Sequence, residues 1–209
     1  MSTYTSEADF LAAYNIHDYA VPLSSVDVCI FTLHKDQLKV LCVKRSDYPH
    51  KDRWALAGGF VDIRGDANLE ATALRVLTKK TGITTPYLEQ LVTVGNNSRD
   101  PRGWSMTAVY FALIPYVELP QTGIERSEWH EANFALHLDL AFDHQQLLAM
   151  ALTRIRAKVL YSLIPANLIT SPFTLTELQR AYEMIMGYEI EKKSFRRRLE
   201  REEVLNATG

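Results

Sequence analysis

The residues best placed to do chemistry cluster in and around Trp54 to Ile83, WALAGGFVDIRGDANLEATALRVLTKKTGI. Gly58 and Gly59 carry no side chain, so backbone amides there can come close to a phosphate or nucleotide. Cations flank this turn in sequence: Lys44-Arg45 ends an apolar run, Lys79-Lys80 sits in a helical segment, and Arg99 and Arg102 belong to the polar stretch GNNSRDPRGW. Each is either ordinary surface charge or a phosphate or ribose contact, and together they outline a pocket for an anionic nucleotide. Trp54, Phe60 and Trp104 are able to stack a base, although Trp54 and Phe60 fit a core as well. The two cysteines, Cys29 and Cys42, are too few for a disulfide framework or a Cys-rich zinc site. They read as small buried thiols, opposite each other on neighbouring strands, in a reducing compartment.

The elements that must hold these groups follow from periodicity. Val26 to Leu33 and Leu38 to Lys44 are β-branched apolar runs joined by HKDQ, the pattern of a hairpin. Trp54-Ala55-Leu56 starts a strand that Gly58-Gly59 should break, and Phe60-Val61 resumes it. Asn68 caps a helix over Leu69 to Thr81, and Gly82 ends it. Leu88 to Val94 and Met106 to Ile114 are two further strands. Pro115 to His144 reads as irregular, with a short aromatic element around Trp129. From His144 the apolar period lengthens to about 3.6, through Leu148, Leu152, Ile155, Val159 and Leu163. Thr174-Leu175-Thr176-Glu177 is a capping box opening a second helix, which Gly187 ends. Ser194 is the expected cap of a third helix, FRRRLEREE. No apolar run approaches a membrane span, and no basic-then-apolar leader precedes the first strand.

The glycine turn and its helix resemble the Nudix signature, G-x5-E-x7-R-E-U-x-E-E-x-G-U with U aliphatic. Gly59, Arg75, Leu77, Gly82 and Ile83 match it, with two extra residues between Gly59 and Arg75. Enzymes of that fold cleave diphosphates with divalent metal held by carboxylates on one helix face. Here Val76, Lys79 and Lys80 stand at the three glutamate positions that follow the arginine. Two unit charges about 4 Å apart repel by roughly 4 kcal/mol at an effective dielectric of 20, so ammonium groups there oppose Mg²⁺. Asp66 is the one carboxylate positioned to substitute. Metal ligands and catalytic residues are therefore expected to be absent. Lys79 and Lys80 are then either solvated helix residues or stand-ins for the metal, binding a pyrophosphate without cutting it.

The tail differs in charge from the rest. Residues 151–209 hold ten Lys/Arg against seven Asp/Glu in a chain of net charge -2, which makes a basic segment behind an acidic body. Its helix order suits a winged helix-turn-helix, with Phe195 and Leu199 anchoring the last helix. Lys192, Lys193, Ser194, Arg196, Arg197, Arg198 and Arg201 are the candidate DNA contacts there, joined by Thr174 and Thr176 at the start of the capped helix. A degenerate Nudix box, Phe142-Asp143-His144 at the junction and the tail FTLTELQRAYEMIMGYEIEKKSFRRRLE together resemble the Nudix-related transcriptional regulators, the NrtR family. The resemblance implies an α+β chain: an N-terminal Nudix-like α/β/α sandwich with a mixed sheet over 1–143, then a winged helix-turn-helix over 144–209, its wing truncated near Asn206.

It implies a homodimeric bacterial repressor of NAD-biosynthesis or salvage genes, cytoplasmic and nucleoid-bound on its double-stranded DNA operator, with no membrane partner. ADP-ribose is the implied effector, and no cofactor is. Lys44, Arg45, Gly58, Gly59, Phe60, Lys79, Arg99 and Arg102 are the expected effector contacts. The competing readings are an active Nudix hydrolase of ADP-ribose or a related nucleoside diphosphate, a repressor of sugar catabolism with another effector, and a sensor whose tail docks protein.

Overall fold

A computed structural model describes residues 4–84, 86–119 and 126–202, with side chains to Leu199. Helix α1 (Glu7–Ala13) precedes the sheet and buries none of its residues. Strands β1 (Leu23–His34) and β2 (Gln37–Lys44) form the expected hairpin. Its turn needs only Lys35 and Asp36, both at positive φ (52° and 56°), the conformation that matches the twist of the flanking strands. Strand β3 (Trp54–Phe60), helix α2 (Leu69–Thr81), β4 (Tyr87–Asn96) and β5 (Ser105–Leu113) follow. The region expected to be irregular contains β6 (Ser127–Glu131) and the single turn α3 (Ala132–Ala135). Helices α4 (His144–Val159), α5 (Leu175–Met186) and α6 (Lys192–Glu202) complete the chain.

The six strands form one mixed sheet in the order β4-β5-β1-β3-β2-β6. Only β1 and β5 run parallel, from Leu23↔Ser105 to Phe31↔Leu113. Near the hairpin turn β1 bonds β2 directly, and farther along β3 inserts between them. Gly58 and Gly59 do not break β3. They pair with Asp27 and Val26 inside the ladder. A strand tolerates glycine where another group must come close, and a Cβ on Gly58 would lie 2.1 Å from Asp27 Oδ1.

Alternation along β1 assigns the two faces. Val26, Val28 and Ile30 pack with Ala73, Val76 and Leu77 of α2. Cys29 and Phe31 face the other way, onto Leu147, Leu148, Leu152 and Ile155 of α4. Cys29 and Cys42 share that second cluster as free, buried thiols. Burial pushes Cys42 up to about 12 and holds Cys29 well above its ordinary value, so both stay protonated. The same cluster continues without interruption into Leu178, Tyr182 and Ile185 of α5 and Phe195 and Leu199 of α6. Helix α4 is therefore packed on the sheet along its length and on the tail helices at its far end. Asn68, Gly82, the Thr174–Glu177 capping box and Gly187 do what their residue types indicate. The start of α6 does not. Glu191, not Ser194, caps it: its carboxylate accepts from the N–H groups of Lys193 and Ser194, both at 2.8 Å. The wing lies outside the described residues.

Candidate effector cleft and nucleic-acid interface

On the α4 face of the sheet, the glycine-bearing end of β3 opens into a cleft of about 150 Å³. Arg45, Gly58, Gly59, Phe60, Arg99 and Arg102 line it, with Ser25, Asp27, Leu56, Asp100, Ser105, Phe142 and His144. Six of the eight expected effector contacts thus meet in one place. Lys44 and Lys79 do not line it. The ammonium of Lys44 lies 5.7 Å from the Trp54 ring centroid, and Lys79 is exposed on α2, which packs on the opposite face of the sheet.

The cleft floor is a buried charge network. The Arg99 guanidinium donates to both oxygens of Asp143, each at 3.0 Å, and lies 3.5 Å from Asp27 Oδ2. Asn96 Oδ1 accepts from the amides of Ser98 and Arg99, which fixes the loop that carries the arginine. His144 Nδ1 accepts from the Leu56 N–H at 2.9 Å, so the ring proton of the neutral imidazole is on Nε2, 3.5 Å from Asp27 Oδ1. Burial holds His144 below its ordinary pKa, against the opposing pull of Asp27. At the rim, Arg45 lies over the Phe142 ring and Arg102 over the Phe60 ring, at 4.9 and 5.1 Å. Arg102 also chelates Asp100, whose carboxyl it holds below the usual range. Phe60 is 48% exposed and Trp104 51%, whereas Trp54 is packed against the α4-side cluster. Phe60 therefore belongs to the cleft, and Trp54 to the core.

The signature helix does not offer a metal site. Val76 is buried in the α2-side cluster, 3.5 Å from where a Gly59 Cβ would sit. Asp66 accepts two bonds from Arg75, at 2.8 and 2.6 Å, and others from Thr72 and the Asp62 amide. Those bonds, the arginine's foremost, hold its pKa well below the usual carboxylate range. Asp66 thus clamps the loop to the helix. Among the described residues no group of three His, Cys, Asp or Glu side chains is arranged to hold a metal. The residues present do not fit Mg²⁺.

In the tail, Lys192, Lys193, Ser194, Arg196 and Arg197 are exposed on α6, and Thr176 is exposed on α5. Arg198 turns inward: it donates to the Val159 carbonyl at 2.7 Å and lies over the Tyr182 ring. Thr174 spends its hydroxyl on the α5 cap. The side chain of Arg201 lies outside the described residues.

A model of the NUDIX domain matches residues 23–152, and a model of the NrtR DNA-binding winged helix domain matches residues 165–209. A relative from Acinetobacter baylyi, the "ADPR responsive transcriptional repressor NtrR", is 51% identical over 94% of this chain and 79% of its own length. The chain belongs to the NrtR family. Shewanella oneidensis NrtR complexed with a 27mer DNA superposes with a TM-score of 0.81 at 46% identity, over 88% of this chain and 85% of that one. The NUDIX domain of the same NrtR, complexed with ADP ribose, gives 0.68 at 45% identity, over 72% of this chain and 99% of that domain.

Within this NrtR-family chain, Asp27, Phe142 and His144 are among the lining residues that were not expected as effector contacts. Asp27 had a signal, since it is a lone carboxylate inside the apolar run Val26 to Phe31. Phe142 and His144 follow a segment tied to β3, where Leu140 bridges Trp54 and the Ala141 N–H donates to the Trp54 carbonyl at 2.7 Å. That long-range contact has no local sequence mark.

Proposed function

We propose that this chain is an ADP-ribose-responsive transcriptional repressor that binds a palindromic operator as a homodimer in the bacterial cytoplasm and leaves it when the effector fills the cleft. The observation that carries the reading is the 51% identity, over nearly the whole chain, to a repressor named for that response. Residues 1–143 would form the effector-binding part and 144–209 the DNA-binding part. Arg45, Arg99 and Arg102 would face the diphosphate, Gly58 and Gly59 would admit it against the backbone, and Phe60 would pack on a ring of the ligand. On the DNA side, Lys192, Lys193, Arg196 and Arg197 would approach the duplex, with Ser194 and Thr176 as smaller contacts. NAD-biosynthesis or salvage genes are the proposed targets, since the effector is a breakdown product of NAD.

The cleft has no metal-fitting carboxylate set, which supports binding without hydrolysis. No helix among the described residues is long and apolar enough to cross a membrane. A gel-shift titration on a duplex selected from a random pool, with and without ADP-ribose, tests the reading. The expected result is a shift that ADP-ribose abolishes while remaining intact with Mg²⁺ or Mn²⁺ present. Turnover of ADP-ribose would overturn the non-enzymatic assignment, and a shift indifferent to ADP-ribose would overturn the effector.

A further inference from the structure

Arg99 and Asp143 join the cleft to the tail through one helix. Asp143 is the residue immediately before α4, where an aspartate side chain ordinarily accepts from the helix's free N–H groups. Here it makes no such bond, and both of its oxygens accept from Arg99 instead. Asp143 therefore has two competing uses, clamping Arg99 or capping α4. Arg99 is likewise contested, with Asp27 at 3.5 Å and Asp143 at 3.0 Å. Of those two carboxylates Asp143 is the more accessible, with its side chain 18% exposed against 8% for Asp27, so it is the one that water can receive on release.

The far end of α4 touches the DNA-binding helices directly. Helix α4 spans about 24 Å at 1.5 Å per residue. The Val159 carbonyl at its end accepts from Arg198 of α6 at 2.7 Å. Arg156, one turn earlier, donates to the Ile185 carbonyl of α5 at 3.2 Å. A change in how α4 is held at Asp143 is thus one rigid element away from the placement of α6.

We infer that a diphosphate in the cleft takes Arg99 from Asp143, and that Asp143 then turns to cap α4, shifting the helix that carries α5 and α6. This rests on the ADP-ribose reading of the cleft and names its regulation. A bidentate guanidinium pairs with a phosphate as well as with a carboxylate. The exchange supplies what any ligand-driven switch needs, a contact that differs between the two states. Arg99 is a ligand contact in one state, and Asp143 is a positioning residue in both.

The test measures two quantities on the full chain: ADP-ribose affinity by calorimetry, and the ratio of DNA affinities without and with ADP-ribose by fluorescence anisotropy on the selected duplex. Asp143→Ala can neither clamp nor cap. It should bind ADP-ribose at least as tightly as the wild type, yet its DNA ratio should fall about ten-fold or more, toward one. Asp143→Asn can cap but cannot pair with the charge, so it should bind DNA more weakly before any ADP-ribose is added. Melting curves check that each variant folds. If Asp143→Ala does not, Arg99→Lys replaces it: a lysine still meets a phosphate but holds only one oxygen of Asp143, and the ratio should again fall. A wild-type ratio in the folded variants overturns the exchange and leaves the ADP-ribose reading standing. Absence of ADP-ribose binding by the wild type overturns the reading itself, and the exchange with it.

Discussion

Glycine 58 is the residue on which the cleft's geometry depends most tightly. A Cβ there would lie 2.1 Å from Asp27 Oδ1, and Asp27 cannot easily retreat because Arg99 and His144 flank it. Gly58→Ala should therefore cost about 1–3 kcal/mol through overpacking, read as a lower melting temperature, and should weaken ADP-ribose binding. Gly59→Ala is the contrast, since its Cβ meets only Val76 at an ordinary 3.5 Å. Equal effects of the two changes would argue against this account. His144 gives a pH signature. Its folded pKa lies below the ordinary 6.5 because burial penalises the imidazolium. Above 6.5 both folded and unfolded forms are neutral. As pH falls below it the unfolded chain takes the proton more readily, and stability is lost. His50 and His130 are shifted the same way, so the measurement is a difference: between pH 7.5 and 5.5 the melting temperature of the wild type should fall further than that of His144→Gln. At this scale much of the site was legible. Gly58, Gly59, Arg99 and Arg102 declare themselves by type and spacing, whereas Lys79 misleads, because spacing along α2 does not reveal which face of the sheet the helix covers.

Elements whose signals are local came through the sequence well. Thr174 and Glu177 form both bonds of the capping box, and Gly82 and Gly187 adopt the left-handed conformation at φ 75° and 78°. Each needs only three or four neighbouring residues to specify it. Thr174→Ala should accordingly cost about 1 kcal/mol of stability, a fall in melting temperature of a few degrees. The same variant should bind the selected duplex with nearly unchanged affinity when assayed well below that temperature. A large loss of DNA affinity there would return Thr174 to the set of DNA contacts. Elements defined by distant partners were harder to read. Strand β6, Ser-Glu-Trp-His-Glu, is partly buried at every position and lies at the sheet edge on β2, so it lacks the alternation that marks a strand. Strand β3 looked interrupted because glycine weakens strands in general, whereas here the ladder to β1 holds it from both glycines onward. The insertion of β3 between β1 and β2 is a matter of three-strand registry, to which no single segment holds the key.

Across the whole molecule, the continuous core from the sheet through α4 into α5 and α6 means that the basic helix is presented by the same body that holds the cleft. The charge pattern sets what that presentation should do. Arg196 and Arg197 are exposed, with Arg197 close enough to Glu191 to lower the glutamate's pKa, while Arg198 is committed to the Val159 carbonyl. The two outer arginines and the inner one should therefore fail differently. If Arg196 and Arg197 meet phosphates, Arg196→Ala with Arg197→Ala should weaken DNA binding and reduce the slope of log affinity against log salt by about 2, one counterion released per lost contact. Melting temperature and ADP-ribose affinity should stay near wild type, because neither residue enters the core or the cleft. Arg198→Ala should instead lower the melting temperature by uncoupling α6 from α4, with the salt slope kept in whatever binding remains. A salt slope that falls for Arg198→Ala and not for the outer pair would reverse this assignment, turning α6 about its axis relative to the duplex.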